Sequence, residues 1–217
     1  METEPLKRFL LREGATLVGV GDVTPALSAE ISHLNRGIAI AVNRSLGAET
    51  VELLSGLQDL ASGWLKVRGF RSLLIPPDSD RRKAKYITKL YKLFCHKTAA
   101  TCSGLGWIGK NGLLINRQYG SKLSWATVLT NAPFVPDEPT SESECGTCEL
   151  CVTHCPSQAL EGHLWSVRDP LRVLVQYDKC RALKSRRTAL DERPNCGFCI
   201  TVCPYSRKSS RRKSIRQ

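Results

Sequence analysis

An α/β (α+β) domain followed by a small cysteine-rich module is the architecture predicted for this chain of 217 residues. Three observations carry that reading. Short apolar runs alternate with stretches of helical period through about residue 135. A proline-rich, polar segment then spans residues 131–141 and marks a boundary. Beyond it stand eight of the ten cysteines, seven of them in two matching runs and Cys180 between the runs.

The elements follow in order. Residues 3–13 place Leu6, Phe9 and Leu10 on one helical face, and Gly14 is a natural stop. Residues 16–20 and 37–42 are apolar and short, as buried strands are, with a helix expected after each. Residues 49–60 have helical period. So do residues 80–101, where Ile87, Leu90, Leu93 and Phe94 recur at helix spacing with lysines on the opposite face. Residues 112–116 and 123–129 read as strands. The expected division is therefore 1–135 for the α/β domain, 136–206 for the cysteine module and 207–217 for a basic tail. Apart from the two cysteine runs no internal repeat is visible.

The net charge of +12 is unevenly spread. From Arg81 to Pro136 there are ten Lys and Arg and no Asp or Glu, and the tail from Arg207 is basic as well. Such runs attract phosphate-bearing partners, nucleic acid among them. The competing reading is a solvated helix face and a solvated tail. No apolar run has the length a bilayer requires, so no membrane partner is expected. The first residues, Met1 to Arg8, are charged and lack an apolar signal core. A cytoplasmic chain with reduced thiols is the expectation.

The cysteines carry the chemistry. Cys145, Cys148, Cys151 and Cys155 stand at the x2, x2, x3 spacing that bacterial ferredoxins use for cubane iron-sulfur clusters, and Pro156 follows the fourth. Cys196, Cys199 and Cys203, with Pro204, repeat the pattern, but Arg193 occupies the place of the first thiol. Cys180 is the nearby thiol able to replace it. In this spacing three thiolates wrap one cube while the fourth reaches its neighbour. Crossed ligation is therefore expected, with one [4Fe-4S] cluster on Cys145, Cys148, Cys151 and Cys203 and the other on Cys180, Cys196, Cys199 and Cys155. Zinc also takes four thiolates, but a zinc site has no need of the third x2 cysteine or of the proline. Cys95 and Cys102 lie outside the pattern and read as structural thiols.

Ahead of the clusters, Gly104-Leu105-Gly106-Trp107-Ile108-Gly109 spells a literal G-x-G-x-x-G. It closes a basic helix and opens a strand, the reverse of a dinucleotide site, and no acidic residue follows at the required distance. Asn111 after Lys110 also excludes a P-loop. What is left is a tight turn with backbone N–H groups beside Lys110 and Asn111, able to cradle a ligand or to serve as a turn alone.

Read together, residues 99–111, Gly120-Ser121, the Trp125 strand and the two cysteine runs resemble the epoxyqueuosine reductase family, and the likeness extends from about Gly14 to Tyr205. It implies a nitroreductase-like N-terminal domain that cradles a corrinoid (cobalamin), fed by a two-cluster ferredoxin-like module. It also implies Gly104, Gly106, Lys110 and Asn111 as pocket-forming positions, tRNA or another phosphate-bearing ligand as partner, and an electron donor such as a ferredoxin, a flavodoxin or a reductase. Two departures stand out. The family's proposed general acid is an aspartate whose place, counted back from Gly104, is taken by Leu90. His96, Tyr91 and Lys97 are the remaining proton donors on that helix, and His96 titrates in the useful range. The family also continues into helical repeats that help hold tRNA, which this sequence does not contain.

The leading expectation is an iron-sulfur oxidoreductase that passes electrons through two clusters to a cofactor or substrate at the N-terminal domain. The alternative is a non-catalytic electron carrier or docking protein with the same two clusters. A third reading, a nucleic-acid-binding protein with structural clusters, rests on the basic segments alone.

Overall fold

The computed structural model describes residues 1–77, 94–170, 172–189 and 196–207. Its chain contacts divide it into two compact units, one formed by residues 1–105 and 122–140, the other by residues 106–121 and everything from 141 onward. A linear cut at 135/136 therefore differs from the observed grouping at two places. Residues 106–121 associate with the cysteine module. Residues 136–140 stay with the first unit, because the Asp137 carboxylate accepts from the Val20 amide at 2.8 Å and from Lys7 Nζ at 2.5 Å, and the Thr140 amide reaches the Thr101 carbonyl at 2.8 Å.

The first unit is built on a four-stranded sheet in the order β1-β2-β6-β3, every pair antiparallel. Its strands are β1 (Leu17–Asp22), β2 (Arg36–Val42), β3 (Ser72–Ile75) and β6 (Ser124–Thr130). The residues of β2 show why. Ile38, Ile40 and Val42 point to one face, and Gly37, Ala39 and Ala41 to the other, since successive side chains in a strand alternate. The branched face joins Val18, Val20, Ala126 and Val128 in the core, against Leu6 and Leu10 of α1 (Glu4–Arg12) and Leu54, Leu57, Ala61 and Leu65 of α2 (Ala48–Lys66). The small face admits a helix backbone at close range. A Cβ added to Gly21 would lie 2.6 Å from the Cβ of Cys102, and one added to Gly37 would lie 3.5 Å from that of Ala99, so α3 (His96–Cys102) packs here.

One polar side chain is buried between α2 and the sheet. Gln58, only 2% exposed, donates through Nε2 to the carbonyls of Ile75 at 2.8 Å and Thr127 at 2.7 Å. It satisfies acceptors that would otherwise be costly to bury.

The mixed α and β character follows the sequence reading, and the antiparallel sheet specifies it. Four differences are informative. Two 3-10 turns, Thr24–Ala26 and Ala29–Ile31, follow β1 in place of a helix. The first carries Pro25 in its opening turn, a position where proline is tolerated. The strand β3 was not anticipated, being only four residues long. The strand over 112–116 shortens to β5 (Leu114–Ile115), paired with β4 (Trp107–Ile108). Of the helix over 80–101, residues 78–93 lie outside the described residues, Leu90 and Tyr91 among them.

Among its described residues, the second unit contains the β4-β5 hairpin and three helices. These are α4 (Leu150–Thr153), α5 (Tyr177–Ala189) and α6 (Phe198–Thr201). Trp107 is buried edge-on against Tyr205, with ring centroids 4.9 Å apart. Among the described residues, α5 buries none of its side chains.

Candidate cluster site

The two cysteine runs fold alike, bond for bond. In the first, backbone N–H groups of Thr153, His154 and Cys155 reach the carbonyls of Glu149, Leu150 and Val152. In the second, those of Thr201, Val202 and Cys203 reach Gly197, Phe198 and Ile200, in each case the equivalent residue of the repeat. Each run is thus a loop, a single helical turn and a proline stop. Cys151 rides on α4 and Cys199 on α6, while Cys155 and Cys203 leave the turns on their far side.

This geometry separates the fourth thiol from its own run. A pocket is lined by Cys145, Cys148, Cys151 and Cys203, together with Lys110, Asn111, Ile115, Pro204 and Tyr205. Burial pushes the Cys151 thiol up to about 11, with further upward contributions from Cys145, Cys203, Cys199 and Cys148. Around Cys199, also pushed up to about 11 by burial first, the contributing neighbours are Cys196, Cys180 and Cys155. Cys180 is raised by burial and by Cys196 and Cys155, with Lys184 opposing. The fold therefore gathers Cys203 with the first three thiols and Cys155 with Cys180, Cys196 and Cys199.

Crowded thiols resist ionisation because neighbouring thiolates repel, and cationic iron removes that repulsion. One thiol is already prepared for it. Burial pushes Cys155 up, but hydrogen bonds from the Ser157 hydroxyl and from the backbone of Ala159, Ser157 and Leu160 outweigh it, so its pKa is lowered. The Ala159 amide is 3.4 Å from its sulfur. Backbone amides aimed at sulfur are the contacts that tune a bound cluster. Among the described residues no three Cys, His, Asp or Glu side chains form a group suited to a single ion. The first four thiols line a pocket instead, a donor set that fits a cluster bringing its own sulfide. All ten cysteines are unpaired by disulfides. Cys95 and Cys102 lie apart from both sets, half-buried in the first unit, and burial raises the Cys102 thiol.

The glycine-rich segment is divided between the units. Gly104, at φ 66°, packs where any Cβ would strike the Glu138 carbonyl oxygen, and a Cβ on Gly106 would strike that of Ile115. Both glycines thus have a packing reason within the protein. The turn's N–H groups are less available than the sequence suggested. Those of Gly109, Gly112 and Leu113 bond to the Leu113 carbonyl, the Gly109 carbonyl and Asn111 Oδ1. Lys110 and Asn111, in contrast, are buried against the first thiol set. Composition alone did not signal that a lysine would be buried there.

His96 does not have the properties of a proton donor. Its Nδ1 lies 2.9 Å from Thr127 Oγ1 and its Nε2 lies 3.0 Å from the Pro76 carbonyl. Burial pushes its pKa down to about 4, against a smaller opposing effect of the Pro76 bond. The ring bridges the Thr127 hydroxyl and the Pro76 carbonyl, an arrangement that favours a structural role over the proton-donor role expected of it.

A mixed α and β fold with an antiparallel sheet carries a module with two sets of four thiols, the donor set that a protein of the two-cluster iron-sulfur class requires. Residues 144–206 match the family described as a 4Fe-4S double cluster binding domain. The chain is 39% identical over 106 residues to an epoxyqueuosine reductase of Listeria monocytogenes, covering 48% of this chain and 28% of the relative. Against one from Vibrio cholerae it is 35% identical over 107 residues, covering 48% and 29%. The chain thus spans less than a third of the length of these curated relatives.

Among solved structures, a selenomethionine-labelled epoxyqueuosine reductase superposes with a TM-score of 0.69 at 18% identity, covering 95% of this chain and 66% of the other. One bound to an epoxyqueuosine-modified tRNA stem loop gives 0.68 at 19%, with the same coverage. A reductive dehalogenase whose structure suggests a mechanism for B12-dependent dehalogenation gives 0.65 at 15%, covering 98% and 36%. At these identities the structures establish likeness of fold. No described helix is long and apolar enough to cross a membrane.

Proposed function

We propose that this protein is an iron-sulfur oxidoreductase of the epoxyqueuosine reductase type, passing single electrons through two [4Fe-4S] clusters to a cofactor or substrate held at the N-terminal domain. The observation that carries the reading is the crossed grouping of thiols, Cys203 with Cys145, Cys148 and Cys151, and Cys155 with Cys180, Cys196 and Cys199. That is the arrangement two adjacent cubes require. The match of residues 144–206 to a double-cluster domain supports it independently.

In this reading residues 1–135 form a nitroreductase-like domain and 136–206 a ferredoxin-like module, with the hairpin residues 106–121 contributed to the latter. The eight cysteines hold the clusters, and the clusters supply one-electron steps. Lys110 and Asn111 lie against the first cluster, and Ser157 with the Ala159 amide supports the thiolate of Cys155. The likeness to reductases that act with B12 or on modified tRNA makes a corrinoid the proposed cofactor and tRNA, or another phosphate-bearing molecule, the proposed ligand. The electron donor is a small redox protein or a reductase, and the compartment proposed is the cytoplasm.

Metal analysis of protein purified without oxygen tests the reading. About eight irons with matching acid-labile sulfide per chain are expected from two cubes, together with bound cobalt or tight uptake of added cobalamin. Zinc in place of iron would overturn the proposal. Iron without corrinoid uptake would reduce it to an electron carrier.

A further inference from the structure

Resting on the two-cluster reading, we infer that Lys110 raises the reduction potential of the cluster held by Cys145, Cys148, Cys151 and Cys203, making it the acceptor of the pair and directing electrons away from the Cys180 side.

Lys110 is only 4% exposed. A buried ammonium is costly unless an anion answers it. Its ion-pair partner among the described residues is Glu149, whose carboxylate stands at 3.4 Å and whose side chain is 58% exposed. Water weakens that partner's hold. The other walls of the pocket are the four thiols, the polar side chain of Asn111, and the apolar surfaces of Ile115, Pro204 and Tyr205. Once iron is bound, the strongest anion facing Lys110 is the cluster itself. Four thiolates and four sulfides outweigh the charge of the irons, and one-electron reduction makes the cluster more negative still. A fixed cation in a poorly solvated pocket stabilises the reduced form more than the oxidised one, so it raises the potential.

Among the described residues, the cation that acts on the second thiol set is Lys184, which opposes the rise of the Cys180 thiol and is itself exposed. Cys180 is exposed, and it sits on α5, whose Lys179, Arg181 and Lys184 face solvent and are screened by it. Cys180 is the exposed thiol of the eight, so a soluble donor reaches the cluster on its side first, and the cluster beside Lys110 holds the electron next. The step transfers one electron from an external one-electron reductant to the cluster on the Cys180 side and on to the one beside Lys110. No bond is made or broken and no proton moves.

Redox titration of the anaerobic full-length holoprotein, followed by electron paramagnetic resonance, tests this, with dithionite as reductant. The signal lost in Cys145→Ser identifies the cluster in question. Lys110→Gln is expected to lower the potential of that cluster by about 59 mV or more, a tenfold change in a one-electron equilibrium, and to move the other cluster less. Lys110→Arg is expected to restore it. Glu149→Gln, which removes the anion that offsets Lys110, is expected to move the same cluster upward.

A general structural disturbance would move the Lys110 and Glu149 variants in the same direction. Equal shifts in both clusters, no shift at all, or a downward shift in Glu149→Gln overturns the inference. Should Lys110→Gln lose iron, Glu149→Gln and Lys110→Arg decide by the same criteria. Wild-type protein without two clusters defeats the proposed function, whereas two intact clusters with unmoved potentials defeat only the role of Lys110.

Discussion

Asn111 Nδ2 donates to the carbonyl oxygen of Cys199 at 3.1 Å, and its Oδ1 accepts from the Leu113 amide at 3.1 Å. One nearly buried side chain thus ties the glycine-rich turn to the helical turn of the second cysteine run. Replacing it with alanine strips two backbone groups of their partner at once. Unsatisfied buried groups cost roughly 1–3 kcal/mol each. Asn111→Ala is expected to lower the urea midpoint of the holoprotein and to speed the loss of iron-sulfur absorbance in air. Unchanged bleaching kinetics would show that the tie to Cys199 has no bearing on the cluster.

Crossed ligation makes a pairwise prediction. Cys145→Ser and Cys203→Ser should abolish the same cluster signal, although the two residues lie far apart in sequence. Cys155→Ser and Cys196→Ser should abolish the other. Each variant is expected to retain about four of about eight irons, as one cube of two would leave. Loss of the same signal by Cys145→Ser and Cys155→Ser would show that each run serves its own cluster.

His96 predicts a pH dependence of stability. Its folded-state pKa of about 4 lies below the ordinary 6.5, so between these values the unfolded chain binds a proton that the folded one does not. The stabilisation is fully present above about pH 6.5 and is lost as pH falls toward 4. Its ceiling is about 3 kcal/mol, at roughly 1.4 kcal/mol per pH unit. Urea midpoints at pH 7 and pH 5 should differ more for the wild type than for His96→Gln, which can keep the contacts to Thr127 and Pro76. Equal pH dependence in both proteins would show that another group is responsible.

Gln58→Leu tests the polar link between α2 and the sheet. The leucine nearly preserves volume but leaves the carbonyls of Ile75 and Thr127 without their donor. A loss of about 2 kcal/mol or more is expected from two unsatisfied acceptors, read from the denaturation midpoint. The cluster signals should not change, because Gln58 belongs to the first unit.

The parts of this protein that were legible in its residues share a physical basis. The buried strands β1, β2 and β6 and the helices α1 and α2 announce themselves because side-chain direction repeats every two residues in a strand and every 3.6 in a helix. After β1, two separate 3-10 turns stand in place of the expected helix. The strand β3 is too brief to show a period. The surroundings of His96 were not legible because a pKa depends on the groups packed around the ring, and Pro76 and Thr127 are distant in sequence.

By itself, then, the order of residues determined the chemistry of the cysteine module. Thiols spaced by two and three residues share a helical turn and its loop, so their donor geometry is local. Only the tertiary structure decided that the hairpin of residues 106–121 joins the cysteine module and that Lys110 is buried beside four thiols. Each of these depends on segments that meet after long loops close, and no periodicity along the chain records which distant segments will meet.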